Sequence, residues 1–169
     1  MKTAIVYYSM GGNTAYIAAR IARKLAANVD VIELTPVKAY PDKGFKKFLW
    51  GGKSAVMSEK PPLMPYSFNA GNYEQIILGF PVWASRAAPP LCTFAEENKE
   101  LLKDKKISAY ACQAGSGAKK ALNGLKNLLG ISEYNAEMIF NDPKDRPDED
   151  NEKKINELCD KLLISSETI

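Results

Sequence analysis

Residues 9 to 14 read Ser9-Met10-Gly11-Gly12-Asn13-Thr14, two glycines between hydroxyl and amide side chains, directly before a helical pattern begins. That arrangement suits an anion. Glycine lets the backbone turn tightly and approach a ligand, while free N–H groups and the positive end of a helix dipole favour negative charge. Ser9, Asn13 and Thr14 add side-chain donors. The run is not the G-x-G-x-x-G of dinucleotide folds and lacks the lysine of a nucleotide-triphosphate loop, which disfavours both readings. The same residues would also serve as a tight turn ahead of a capped helix.

The chain has no histidine, which removes the commonest general acid-base group and the commonest metal ligand. A Ser-His-Asp triad, a Cys-His pair and an H-E-x-x-H zinc site are all impossible. If the protein is an enzyme, a cofactor is expected to carry the chemistry. The three cysteines, Cys92, Cys112 and Cys159, are scattered, with no C-x-x-C spacing for zinc or dithiol redox work. They are expected to be reduced and mostly buried. A net charge of +3, spread along the chain, is too weak and dispersed to argue for nucleic acid.

The elements that would position these residues alternate almost from end to end. Strands are expected at about 3–8, 29–34, 75–80, 107–112 and 136–140. Helices are expected at about 13–27, 90–102, 116–129 and 148–163, the last capped by Asp148 or a neighbour. Ile17, Ala18, Ile21, Ala22 and Leu25 make one apolar stripe. Leu122, Leu125, Leu128 and Leu129 make a second, and Ile155, Leu158 and Leu162 a third. Strands apolar on both faces between amphipathic helices imply a parallel sheet covered on both sides. In such sheets ligands bind beyond the carboxyl ends of the strands. Residues 35 to 72 make a long connection, with a helix expected at about 43–57, interrupted or bent at Gly51-Gly52. With 169 residues, one domain spanning 1–169 is expected. The opening apolar run, residues 4–8, is too short for a signal peptide, and no stretch approaches the roughly 18 apolar residues of a membrane span. A cytoplasmic location is expected.

Tyr8-Ser9-Met10-Gly11-Gly12-Asn13-Thr14 resembles the flavodoxin phosphate loop, whose usual form is Ser/Thr-x-Thr-Gly-x-Thr. Gly79-Phe80-Pro81-Val82-Trp83 resembles the family's Gly-x-Pro-x-Trp after the third strand. Gln113-Ala114-Gly115-Ser116-Gly117 follows the fourth strand in the same manner. Ile32-Glu33-Leu34-Thr35-Pro36 and Tyr40-Pro41 are similar to a branch of short flavodoxin-like proteins found in bacteria. The likeness covers nearly the whole chain. It implies an α/β fold, a flavodoxin-like doubly wound five-stranded parallel sheet in the order 2-1-3-4-5, and FMN as cofactor.

By that resemblance, Ser9 to Thr14 would hold the FMN phosphate with N–H and hydroxyl donors and no positive side chain. Pro81, Val82, Trp83 and Ala84 would lie against the isoalloxazine, with Trp83 the best candidate to flank the ring; the alternative is an anchor under the helix that follows. Gln113, Ala114, Gly115, Ser116 and Gly117 would form the other wall, the glycines permitting close backbone approach. Gly11 departs from the family pattern, standing where a hydroxyl-bearing Thr is usual. The loss of one neutral hydrogen bond costs about 0.5–1.5 kcal/mol. Phe45, Phe48 and Trp50 could cover the flavin or belong to the core. Lys43, Lys46, Lys47 and Lys53 could meet an anionic partner or an NADPH phosphate, or form a solvated face.

The resemblance implies an FMN-dependent oxidoreductase taking electrons from NAD(P)H and passing them to a quinone or similar acceptor. Its rival is a one-electron carrier between redox proteins with no substrate of its own, and a third reading is a flavin-free interaction module. Dedicated carriers in this family are typically acidic, so the +3 charge tilts the expectation toward the enzyme. No nucleic acid or membrane partner is expected. The oligomeric state is left open by the sequence, a homodimer being suggested only by analogy with flavin enzymes of this fold.

Overall fold

The first strand, β1 (Thr3–Tyr7), is buried along its whole length, and its alternate side chains enter opposite cores. Ala4 and Val6 face one side of the sheet; Ile5 and Tyr7 face the other. Such a strand must have neighbours on both edges and helices on both faces. The computed structural model, which describes residues 2–26, 28–41 and 59–167, provides both; of residues 164–167 it describes the backbone alone.

After β1 come α1 (Asn13–Leu25), β2 (Val29–Glu33), a 3₁₀ turn at Ala70–Asn72, and β3 (Gln75–Trp83). Then follow β4 (Arg86–Ala87), α2 (Pro89–Leu102), β5 (Lys106–Gln113), α3 (Ala118–Leu129), β6 (Glu137–Asn141) and α4 (Glu149–Glu167). The long strands run parallel in the order β2-β1-β3-β5-β6. This is the expected doubly wound order, with β5 and β6 as the fourth and fifth parallel strands. Two-residue β4 was not foreseen. It pairs antiparallel with the end of β3, Trp83 opposite Arg86 and Val82 opposite Ala87.

The hairpin explains why β3 runs on to Trp83 rather than stopping at Phe80. Its loop is Ala84-Ser85, both at positive φ (48° and 60°), the backbone of a two-residue hairpin turn of the primed kind. Such turns favour Asn-Gly, and Ala-Ser carries no such signal. Helix α3 begins at Ala118 rather than Ser116 because Gly117 occupies the cap with φ 101°, outside helical geometry. Helix α2 starts one residue early at Pro89, a proline with no N–H to lose in a first turn. Asp148 caps α4 as expected, its Oδ1 accepting the Asn151 N–H at 2.7 Å.

Helices α2 and α3 cover one face through Leu91, Phe94, Leu122, Leu125 and Leu129; α1 and α4 cover the other through Ile17, Ile21, Ile155, Leu158 and Leu162. Leu128 is partly buried rather than central. The two ends of the long connection meet: Val37 N–H donates to Pro62 at 2.8 Å and Met64 N–H to Thr35 at 2.7 Å. The helix expected at 43–57, with Phe45, Phe48, Trp50 and the four lysines, lies outside the described residues.

Tyr110 binds the two layers at the centre. It sits opposite Gly79 in the β3–β5 register. A side-chain carbon at Gly79 would lie 2.2 Å from the Tyr110 ring, so only glycine admits the ring there. The fully buried Tyr110 hydroxyl donates to the Thr14 carbonyl at 3.0 Å and so ties the start of α1 to the sheet.

Candidate functional site

The carboxyl ends of β1, β3 and β5 open onto a cleft of about 270 Å³. Its walls include Met10, Gly11, Asn13 and Thr14 from the first loop. Pro81, Val82, Trp83 and Ala84 come from the β3 end, and Cys112, Gln113 and Ala114 from the β5 end. Ten of the residues expected at a site therefore share one cavity. Ser9, Gly12, Gly115, Ser116 and Gly117 do not line it, and three of these have other work.

Ser9 closes the first loop on itself. Its Oγ accepts the Gly12 N–H at 3.2 Å and the Ala15 N–H at 3.3 Å. Gly12 supplies the left-handed turn, with φ 90°, and caps α1 without any side-chain bond. The Gly11 position needs no such freedom: in this loop the positive φ belongs to Gly12. Gly117 packs against Ser85, where a side-chain carbon would fall 2.9 Å from the Ser85 Cα. The close approach expected of that glycine is thus between the two loop walls. Around Gly115 there is open space.

Helix α1 has no acidic residue in its first turn and carries Arg23 and Lys24 in its last, a charge order that complements the dipole and leaves the amino end electropositive. The N–H groups of Met10, Gly11, Asn13 and Thr14 have no partner among the described residues. The Thr14 hydroxyl is similarly idle. Thr14 is 1% exposed, and its Oγ1 is buried without a hydrogen bond of ordinary geometry. It makes a weak contact with the Cys112 thiol, whose pKa burial pushes up to about 12, with Thr14 pulling it down and Asp142 pushing it further up. Cys112 therefore stays a neutral thiol, and it is buried, as expected. A buried hydroxyl and four donors left unpaired at a helix amino end fit an anionic group with several acceptor oxygens.

Trp83 is partly buried, with its orientation set by two tyrosines. Its ring lies edge-on to Tyr8 (5.7 Å, 89°) and to Tyr40 (5.1 Å, 81°). Burial, then Tyr40, raises the Tyr8 hydroxyl well above its ordinary value, so Tyr8 stays a neutral phenol. The Gln113 side chain is committed to structure: its Oε1 accepts the Ala118 N–H at 2.9 Å and its Nε2 donates to Asn141 at 2.9 Å.

Sequence reasoning missed a fourth contributor, the loop after β6. Asp142 and Asp145 line the cleft, and Asn13 joins that loop to the first. Asn13 Nδ2 donates to Asp145 at 2.9 Å, and its Oδ1 accepts the Lys144 N–H at 2.8 Å. Asp142 begins immediately after a strand end, so the rule that ligands sit beyond strand termini could have found it. Among the described residues no group of acidic, cysteine or histidine side chains could hold a metal ion, and no helix is long and apolar enough to cross a membrane.

A larger cavity, about 430 Å³, lies between α2 and α3 and is lined by Arg86, Cys92, Lys120, Leu125 and Leu128. It holds none of the expected site residues.

Residues 2–156 match the family model described as Flavodoxin. Among solved structures, a flavoprotein from Lactobacillus acidophilus NCFM in complex with FMN is 19% identical; the alignment covers 90% of this chain and 97% of that one, with a TM-score of 0.68. The flavodoxin of Streptococcus pneumonia TIGR4 is 20% identical over 98% of this chain and 99% of its own, TM-score 0.63. The two-electron reduced flavodoxin of Megasphaera elsdenii is 20% identical over 94% and 96%, TM-score 0.62. No curated protein sequence matches the chain.

Proposed function

The chain belongs to the flavodoxin family, and on that premise we propose that it binds FMN in the strand-end cleft and moves electrons from NAD(P)H to a quinone or similar acceptor. The observation that carries the cofactor assignment is the idle donor set: four loop N–H groups and the buried Thr14 hydroxyl, gathered at the amino end of α1. A phosphate monoester offers the acceptors these donors lack. Residues 10 to 14 would hold the phosphate. The Pro81-Val82-Trp83-Ala84 corner and Gln113-Ala114 would flank the isoalloxazine.

Bound FMN supplies the electron chemistry, which requires no histidine. The protein's own part is to bind, orient and shield. The hairpin loop helps fix the site, because Ala84 and Ser85 sit at positive φ, a conformation that costs L-residues about 1–2 kcal/mol each. Held at that corner by pairing with β4, Trp83 keeps one orientation between its tyrosines.

The relatives' names favour a second reading, an electron carrier without a substrate, since two are flavodoxins. The net charge of +3 favours the enzyme. A spectrum separates them. After incubation with FMN and desalting, the protein should retain a flavin band that bleaches promptly when NADPH is added without oxygen. A retained band that persists with NADPH sinks the enzyme reading and leaves the carrier; no retained band sinks both.

A further inference from the structure

The phosphate loop carries no cation of its own, but the fold brings one to it from 132 positions along the chain. Lys144 lies in the loop after β6, and a side-chain carbon at Gly12 would fall 2.7 Å from its Nζ, 3.3 Å from its Cδ and 3.5 Å from its Cε. The ammonium therefore rests directly over the glycine turn that starts α1. The placement is not that of a loose surface lysine, because its backbone is fixed: the Lys144 N–H donates to Asn13 Oδ1 at 2.8 Å, while Asn13 Nδ2 reaches Asp145 at 2.9 Å. Asn13, which lines the cleft, acts as a staple between the two loops.

The charges around it are specific. Asp142 is paired with Arg146 at 3.7 Å. Asp145 is engaged by the Asn13 amide. Lys144 makes no ion pair among the described residues. One unpaired ammonium thus stands beside four unpaired amides, and the single carboxylate nearby that lacks a cation, Asp145, would repel an anion if Lys144 were absent.

We propose that Lys144 is the cationic contact for the FMN phosphate, held over the loop by the Asn13 staple, and that it makes the site select FMN over riboflavin. This rests on the assignment of residues 10 to 14 to the phosphate. It also gives a reason why Gly11 can replace a hydroxyl-bearing residue: the donor lost within the loop is offset by a charge supplied from outside it.

The test is flavin fluorescence quenching, titrating FMN and riboflavin into the wild type, Lys144→Gln and Asp145→Asn at low and high salt. An exposed charged contact is worth up to roughly fivefold in affinity, and screening weakens it. Lys144→Gln should weaken FMN binding by about that factor and leave riboflavin within about twofold. It should also flatten the salt dependence of FMN binding. Asp145→Asn, which keeps an oxygen to accept the Asn13 amide, should tighten FMN. Undiminished FMN affinity in Lys144→Gln overturns the proposal alone, as does a parallel loss of riboflavin affinity, which would mark a structural role only. A wild type that binds neither flavin, or binds both equally at low salt, overturns the phosphate assignment and this proposal with it.

Discussion

Thr14→Val separates function from stability at one atom. Thr14 is 1% exposed, and its hydroxyl, buried against Cys112, has no full hydrogen bond. Valine has the same shape and a similar helix preference, so the exchange removes the hydroxyl and little else. Leaving a buried polar group unsatisfied costs about 1–3 kcal/mol, and relieving it should stabilise the flavin-free protein. The weak Cys112 contact places the gain toward the lower end, about 1 kcal/mol, or roughly 2–4 °C in Tm for a chain of this size. The opposite should hold for binding. A hydrogen bond to a charged group contributes about 1.5–3 kcal/mol, so FMN affinity should fall by at least about tenfold. Urea unfolding without flavin and FMN fluorescence titration measure the two effects on one sample. The reasoning is refuted if the variant is less stable than the wild type, or if FMN binds it as tightly.

Three further predictions rest on other atoms. Gly79→Ala drives a carbon to 2.2 Å from the Tyr110 ring; overpacking and the lost bond to Thr14 together should cost about 2–4 kcal/mol in urea unfolding. The same alanine added to Tyr110→Ala should cost almost nothing, so additive effects would show that the ring is not the obstacle. Gly11→Thr, at a position whose φ is not left-handed, should restore a hydroxyl and tighten FMN by up to about tenfold in the same fluorescence titration. At alkaline pH the protein should weaken: burial raises Cys112 from 9.0 to about 12, and Cys92 and Cys159 from 9.0 to about 11. Above pH 9 the unfolded thiols have lost protons that the folded ones keep, so unfolding releases protons and stability falls as pH rises, by about 1.4 kcal/mol per pH unit for each group. Unfolding midpoints that stay flat from pH 9 to about 11 would contradict this.

The parallel strands were legible because most announce themselves locally, while their order was legible only through the family resemblance. Residues 3–7, 76–80 and 107–112 are unbroken apolar or small runs, with a turn residue or a glycine motif close behind each. The three loop motifs were legible for the same reason, each directly after its strand. What escaped was decided by pairing across distance. The β3–β4 hairpin turns on Ala84-Ser85 at positive φ, which neither residue type advertises. Asn13 reads locally as a phosphate donor, yet the fold spends its side chain on Lys144 and Asp145. Nothing within residues 9–14 could reveal that, since the partner loop arrives only when β6 docks beside β5. Gly115 and Gly117 looked alike in sequence; one packs on Ser85 and the other faces open space.

The most direct test of the FMN site is a backbone amide NMR titration of the isotopically labelled protein with FMN. The account predicts the largest shifts at Met10, Gly11, Asn13 and Thr14, with a second group at Val82, Trp83, Ala84, Gln113 and Ala114. Shifts centred instead on Arg86, Lys120, Leu125 and Leu128, around the larger cavity between α2 and α3, or no shifts at saturating FMN, would contradict it.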